Sequence, residues 1–301
     1  MLRVDVESQP AHRITLVATP PLAQGSDGDR RVSTTAVLTA AARASHFLWH
    51  ENPVFADDLA LMLLPDEVAN STRRARFGGQ GLGSQLMILV RSRYAEDALF
   101  AAAERGIAQY VLLGAGLDTF GYRHPNTVPG LKIYEVDHPA SQQYKRERLA
   151  AAGIAEPSCL TFVPVDFESQ RLDEQLAAAG FDLDKPAFFA WLGVTYYLWA
   201  DAIEDTLRFI AACATGTEVV FDYIDPTLAD AVHASNVTAG LGEPLVSKFT
   251  PPELAVMLKR AGLQVQRDLS PADAAALFFA GRDDGLSPTG QSRVMHARVA
   301  S

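Results

Sequence analysis

Cysteine is scarce in this 301-residue chain: Cys159 and Cys213 are the 2 present. Neither has a partner at metal-ligand spacing, so there is no disulfide framework and no metal site to expect, and a reducing compartment fits. Basic charge is also short, with 26 Lys and Arg against 36 Asp and Glu for a net charge of −10. A nucleic-acid partner normally requires a basic face, so none is expected. The clusters Arg73, Arg74, Arg76 and Lys145, Arg146, Arg148 read as solvated surface, the second on a helix that also carries Glu147. No uninterrupted apolar segment reaches about 18 residues, which argues against a membrane span. Residues 1–30 mix Arg, Glu, Asp and Pro and lack the apolar core of a signal peptide. The expectation is a cytoplasmic protein, with enough chain for one large domain plus a cap.

What is present changes texture along the chain. Residues 1–30 hold Pro10, Pro20, Pro21, Gly25 and Gly28 and read as a loosely attached tail. Residues 31–106 read as a helical cap. A helix capped by Ser33 or Thr34 ends before Asn52-Pro53, and a short one over 57–64 stops at Pro65. A glycine-rich loop follows over 70–84, and then a long helix over 84–105. From 107 to 301 the pattern alternates. Strands are expected at 109–114, 131–136, 160–165, 187–192, 217–223 and 263–268, with helices at 139–152, 169–180, 200–214 and 251–261. That alternation predicts an α/β fold around a mostly parallel sheet. Residues 225–250 are less regular and read as an insertion over the sheet edge, and 292–299 as a final edge strand.

The most informative stretch is Tyr110-Val-Leu-Leu-Gly114-Ala-Gly116-Leu-Asp118. An apolar strand runs into a tight glycine turn, and the next strand ends in Asp137. This is the equipment for holding a nucleoside-bearing cofactor at the carboxyl edge of a parallel sheet. A dinucleotide fingerprint would want a third glycine, but Thr119 stands there with Asp118 before it. A carboxylate repels a pyrophosphate and attracts an ammonium or sulfonium, which favours S-adenosylmethionine. Asp137 can accept both ribose hydroxyls, or instead cap the helix that begins near Pro139. After the third strand, Asp166 can accept from the adenine amino group while Phe167 packs on the ring.

These residues resemble a known family. Arg91-Ser-Arg93-Tyr-Ala-Glu-Asp97, Leu113-Gly-Ala-Gly-Leu-Asp-Thr119, Glu135-Val-Asp-His-Pro139 and Val165-Asp-Phe167 are similar to leucine carboxyl methyltransferases. The likeness is greatest to the actinobacterial branch of S-adenosylmethionine-dependent methyltransferases, which Gly242-Glu-Pro244 and Phe249-Thr-Pro-Pro-Glu-Leu254 also resemble. The resemblance implies a class I methyltransferase fold: a Rossmann-like, seven-stranded sheet with an antiparallel last strand, capped by N-terminal helices and a lid insertion. It implies that Arg93 grips the methionine carboxylate or the substrate's own, that Gly114 and Gly116 pass under the cofactor, and that Asp137 holds the ribose. Asp166 and Phe167 would hold the adenine, and Tyr197 would line the acceptor pocket. One departure stands out: where many relatives have Glu-Gly after the fourth strand, this chain has Leu192-Gly193.

A carboxylate acceptor is already ionised at neutral pH and needs no strong base. Arg93 and Tyr197 would then aim it, while a hydroxyl acceptor would call on His138 or His233 as base. Phe47, Trp49, Tyr196, Tyr197 and Trp199 are compatible with a planar acceptor. The expected partners are a small carboxylic acid and, at most, a second copy of the chain. The rival functions are a nicotinamide-dependent oxidoreductase on a similar sheet, and a methyltransferase-like binding protein that has lost catalysis.

Overall fold

The computed structural model describes residues 33–74, 82–167, 169–229 and 244–300. The expected tail, His233, Gly242, Glu243 and most of the expected 225–250 insertion lie outside these residues, as does much of the glycine-rich loop.

Seven strands form one sheet: β1 Gln109–Leu113, β2 Lys132–Asp137, β3 Leu160–Pro164, β4 Phe188–Trp191, β5 Glu218–Ile224, β6 Leu263–Leu269 and β7 Ser292–Val299. Their order is β3-β2-β1-β4-β5-β7-β6. Strands β1 to β5 pair in parallel, and β7 runs antiparallel to both its neighbours. The last strand is therefore not at the edge. Its Val294, Met295 and Ala297 are buried, whereas β6 exposes Gln264, Val265, Gln266 and Arg267 and carries an irregularity between Val265 and Arg267. A polar, irregular strand tolerates an open edge better than an apolar one, so β6 takes that place.

Alternation along the strands feeds two cores. Tyr110, Leu112, Ile133, Phe188 and Val220 face α4 (Leu82–Glu104), whose Leu86, Val90 and Leu99 are buried against them. Val111, Leu113, Val136, Phe189 and Phe221 face the other layer, of α7 (Leu172–Ala178), α8 (Ala200–Ala211) and α9 (Pro251–Ala261). Each buried Phe or Leu contributes roughly 1.5–3 kcal/mol. The expected cap over 31–106 thus divides, because α4 belongs to the sheet layer. A third cluster joins α1 (Thr34–Trp49), α2 (Ala60–Leu63) and α3 (Asp66–Arg74) to Leu117, to Tyr122 on α5 (Phe120–Arg123) and to Leu149 on α6 (Pro139–Ala151). Helix α3 occupies part of the expected loop. Asp66 and Glu67 at its start and Arg73 and Arg74 at its end suit the helix dipole. Helix α10 (Pro271–Phe278) precedes β7, with Ser270 and Asp273 forming a capping box.

Buried charge fastens α1 beside the glycine turn. Arg43 donates to Asp57 Oδ2 at 2.8 Å and to the Leu117 carbonyl at 2.6 Å. Burial works to raise the Asp57 carboxyl, but Arg43 and Arg123 outweigh it and hold it below the ordinary value. Arg123 in turn forks onto Glu96 of α4.

Candidate functional site

Because β1 to β5 are parallel, their carboxyl ends meet along one edge, and the chemistry-bearing residues collect there. The β1 turn closes as the amides of Gly114 and Ala115 both donate to the Val136 carbonyl, at 2.9 and 3.0 Å. Gly114 has φ +68 and Gly116 φ +50, both left-handed. A Cβ on Gly114 would lie 2.6 Å from Val194 Cγ2 in the loop after β4, so the two loops touch. Ala36 of α1 stands 3.5 Å from the equivalent point on Gly116, roofing the turn.

Asp137 ends β2 as expected. Its Oδ2 accepts from the Gly116 amide at 2.5 Å and its Oδ1 from the His138 amide at 2.6 Å. Ser141 also donates to this carboxylate, which still has a lone pair left for a hydroxyl donor. Asp137 does not cap α6: that cap is His138, whose Nδ1 accepts from the Ala140 amide at 3.2 Å. Burial raises the Asp137 carboxyl above its ordinary value, and the two backbone donors work against the rise. Asp118 lies on the turn, its Oδ1 accepting from the Phe120 amide at 2.7 Å. Asp166 follows β3 and accepts from Ser169 Oγ at 2.7 Å, and Phe167 packs partly into the sheet core.

Below Asp137, Glu135 is fully buried and bonded to Lys145 of α6 at 2.6 Å. Lys145 is therefore core, not solvated surface. Burial pushes Glu135 up to about 7, Lys145 opposes, and Asp118 and Asp137 add to the rise. Glu135 Oε1 and Tyr122 Oη are buried with no hydrogen-bond partner.

Arg93 is not at this edge. It lies on the outer face of α4, side chain 45% exposed, in an i,i+4 pair with Asp97. The arginine that turns inward is Arg91. Its Nη1 donates to Asp222 Oδ2 on β5 at 2.7 Å and to Tyr196 Oη at 3.0 Å. Its Nη2 lies 2.7 Å from where a Gly193 Cβ would be. Burial opposes the Arg91 charge, but Asp222 and Tyr196 more than restore it, so its pKa stands above the ordinary value. Asp222 Oδ1 takes the Gly193 amide at 2.6 Å, and the Asp222 carbonyl takes Thr195 Oγ1 at 2.5 Å. Tyr197 ends the 3-10 turn Thr195–Tyr197, its ring edge-on to Tyr196 at 4.7 Å. Phe47 and Trp49 sit at the far end of α1, roughly 16–20 Å along the helix from Ala36.

Sequence reasoning gave no role to Arg91 or Asp222, and named Tyr196 only as an aromatic suited to a planar acceptor. The available signals were a charge directly after the apolar run Leu86–Val90 and another inside the apolar strand that continues Val219-Val220-Phe221-Asp222-Tyr223. Among the described residues, no group of His, Cys, Asp and Glu could hold a metal ion, and no helix is long and apolar enough to cross a membrane.

The glycine turn, the two strand-end carboxylates and the inward arginine fit a nucleoside that carries an amino-acid tail. The family model for leucine carboxyl methyltransferase matches residues 36–211. A Bacillus subtilis (strain 168) protein named "Putative S-adenosyl-L-methionine-dependent methyltransferase YktD" is 33% identical, covering 88% of this chain and 97% of its own. A like-named protein of Mycolicibacterium gilvum (strain PYR-GCK) is 32% identical over 81% of this chain and 80% of its own. A solved structure from Thermobifida fusca YX aligns with TM-score 0.60 at 18% identity, over 91% and 97% of the two chains. It shares the fold, which is that of class I methyltransferases. This chain belongs to the leucine carboxyl methyltransferase family.

Proposed function

We propose that the protein is an S-adenosylmethionine-dependent O-methyltransferase acting on the carboxylate of a small, natural-product-like acid. Methyl transfer from that cofactor follows from the family. The observation that supports the finer reading is that His138, the described base candidate at this edge, is committed to the α6 cap and so is not offered to a hydroxyl acceptor; the buried Arg91 fork beside the glycine turn suits the cofactor's carboxylate-bearing tail. When bound, the cofactor supplies an electrophilic methyl group on a sulfonium. The chain's residues then bind and orient. Gly114 and Gly116 offer backbone without a Cβ in the way, Asp137 takes the ribose hydroxyls, and Asp166 with Phe167 holds the adenine. Asp118 and Asp137 lend the crevice the negative potential that a cation requires. Arg91, in place of Arg93, holds the methionine carboxylate. Tyr197 lines the acceptor side, where alignment of the acceptor oxygen can contribute roughly 7–11 kcal/mol.

No general base is needed for a carboxylate, and His138 is committed to the α6 cap. Family membership argues against the nicotinamide rival. The Asp222–Arg91 pair argues against reading Leu192 as a sign of lost catalysis. The test is methyl transfer from isotopically labelled cofactor to panels of small acids and of phenols. Carboxylate methylation gives esters that release labelled methanol in mild base, whereas phenol methylation gives base-stable ethers. Base-stable product alone overturns the carboxylate reading.

A further inference from the structure

One buried group is not used by that reading: the phenol of Tyr196. Its oxygen accepts from Arg91 Nη1 at 3.0 Å, while the same nitrogen also donates to Asp222 Oδ2 at 2.7 Å. Both hydrogens of that nitrogen are thereby committed. Burial pushes the phenol well above its ordinary value, so it stays protonated and neutral beside the guanidinium. The backbone of Tyr196 is committed too. Its carbonyl accepts from the amides of Val246 at 2.7 Å and Ser247 at 3.2 Å, and Ser247 Oγ donates to the Leu198 carbonyl at 2.5 Å. One residue joins the guanidinium, the turn that carries Tyr197 and the 246–247 segment.

A guanidinium held through one nitrogen by a single carboxylate can still swing about that bond. A second acceptor on the same nitrogen fixes the plane of the fork and so fixes where the other nitrogen points. Here Nη2 is delivered 2.7 Å from the Cβ position of Gly193, and the adjoining Val194 is the residue that touches the Gly114 turn.

We propose that Tyr196 is a positioning residue. With Asp222 it aims Arg91 Nη2 at the carboxylate of the cofactor's amino-acid tail, so that the β5 carboxylate anchors the end of the site where Leu192 has no charge to offer. This rests on the reading of Arg91 under Proposed function. Asp222 meets Arg91 through one oxygen and one nitrogen only, at 2.7 Å, while its other oxygen accepts from the Gly193 amide at 2.6 Å.

The test compares two ligands by calorimetry. S-adenosylhomocysteine carries the amino-acid tail; methylthioadenosine has the same nucleoside and thioether without it. Tyr196→Phe keeps the ring and removes one hydrogen bond. The expected result is a Kd for S-adenosylhomocysteine weakened roughly 3–10-fold, with that for methylthioadenosine unchanged within about twofold. Equal loss on both ligands, or no loss on either, overturns the inference. Should the Phe variant fail to fold, Tyr196→Met, which also removes the oxygen that accepts from Arg91, poses the same question, and an equal loss on both ligands again overturns it. If the unaltered protein binds neither ligand, the cofactor reading fails first. If it binds both and Tyr196→Phe does not discriminate, the role of Tyr196 alone fails.

Discussion

Arg91 and Asp222, 131 positions apart in the chain, meet at 2.7 Å with side chains 8% and 0% exposed. A buried pair of this kind is weak evidence for stability, because desolvating two charges offsets most of their attraction. What it fixes is position. Asp222 also holds the Gly193 amide, so one carboxylate locks α4, the β4 loop and β5 into a single arrangement at the edge where the cofactor tail is proposed to lie.

Breaking the pair from one side leaves an uncompensated buried charge. Asp222→Ala is expected to lose about 3–5 kcal/mol of folding stability, read as a drop in the urea midpoint. A loss below about 1 kcal/mol would mean that Arg91 finds another partner or water, and the locking role would go with it.

The two arginines of the Arg91-Ser92-Arg93 segment should behave as opposites. Arg93→Ala deletes an i,i+4 pair with Asp97 worth about 0.3–0.5 kcal/mol, together with a bond to the Val54 carbonyl, and should leave S-adenosylhomocysteine binding unchanged. Arg91→Lys should weaken that binding while Arg93→Lys does not. Calorimetry on both variants checks this, and the reverse pattern would reinstate Arg93.

How much of this was legible in the sequence depends on whether a signal was local. The Gly114–Asp118 turn and Asp137 were readable because glycine torsion and strand-end placement are set by neighbours in the chain. The strands were readable from short apolar runs between turns. The choice between Arg91 and Arg93 was not. It depends on which face of a 23-residue helix meets the sheet, and that helix is apolar on more than one side. Asp222 acquires its role only because α4 packs against β5 and brings Arg91 to it, a contact between residues 131 positions apart. The position of β7 was hidden for a related reason. Strand order is a long-range property, and the last run in sequence carries no mark of its neighbours.

The Glu135–Lys145 pair should leave a signature in the pH dependence of stability. Burial lifts Glu135 from 4.5 to about 7. A folded value above the unfolded one means that the native state binds the proton more tightly. The resulting stability is fully present below about pH 4.5 and is lost as pH rises through about 7. Between pH 5 and 8 the unaltered protein should therefore lose stability relative to Glu135→Gln, which keeps an acceptor for Lys145 but does not titrate. Denaturation midpoints across that range decide it, and parallel profiles would refute it.

Asp137 predicts a pH dependence of opposite sense, in binding. Burial raises its carboxyl, and hydroxyl donors favour the ionised form, so cofactor affinity should tighten as pH rises through its pKa and then level off. Asp137→Ala removes two charge-assisted bonds of roughly 1.5–3 kcal/mol each and should take binding below calorimetric detection. Asp137→Asn should bind weakly with a flat profile. Unchanged affinity in either variant would remove Asp137 from the site.

The glycine turn separates torsional from steric cost. Gly114 and Gly116 both have positive φ, at +68 and +50, and alanine in that region costs about 1–2 kcal/mol. At Gly116 the nearest atom to a new Cβ is Ala36 Cβ at 3.5 Å, an ordinary contact, so Gly116→Ala should lose only that amount. At Gly114 the new Cβ would meet Val194 Cγ2 at 2.6 Å, and overpacking adds about 1–3 kcal/mol. Val194→Ala removes the obstructing methyl groups. The double variant Gly114→Ala/Val194→Ala should therefore be more stable than the sum of the single losses predicts, by about 1 kcal/mol. Urea denaturation of the four-member cycle measures that coupling. Strict additivity would mean that the β4 loop does not press on the turn, and the contact joining the two halves of the site would have to be abandoned.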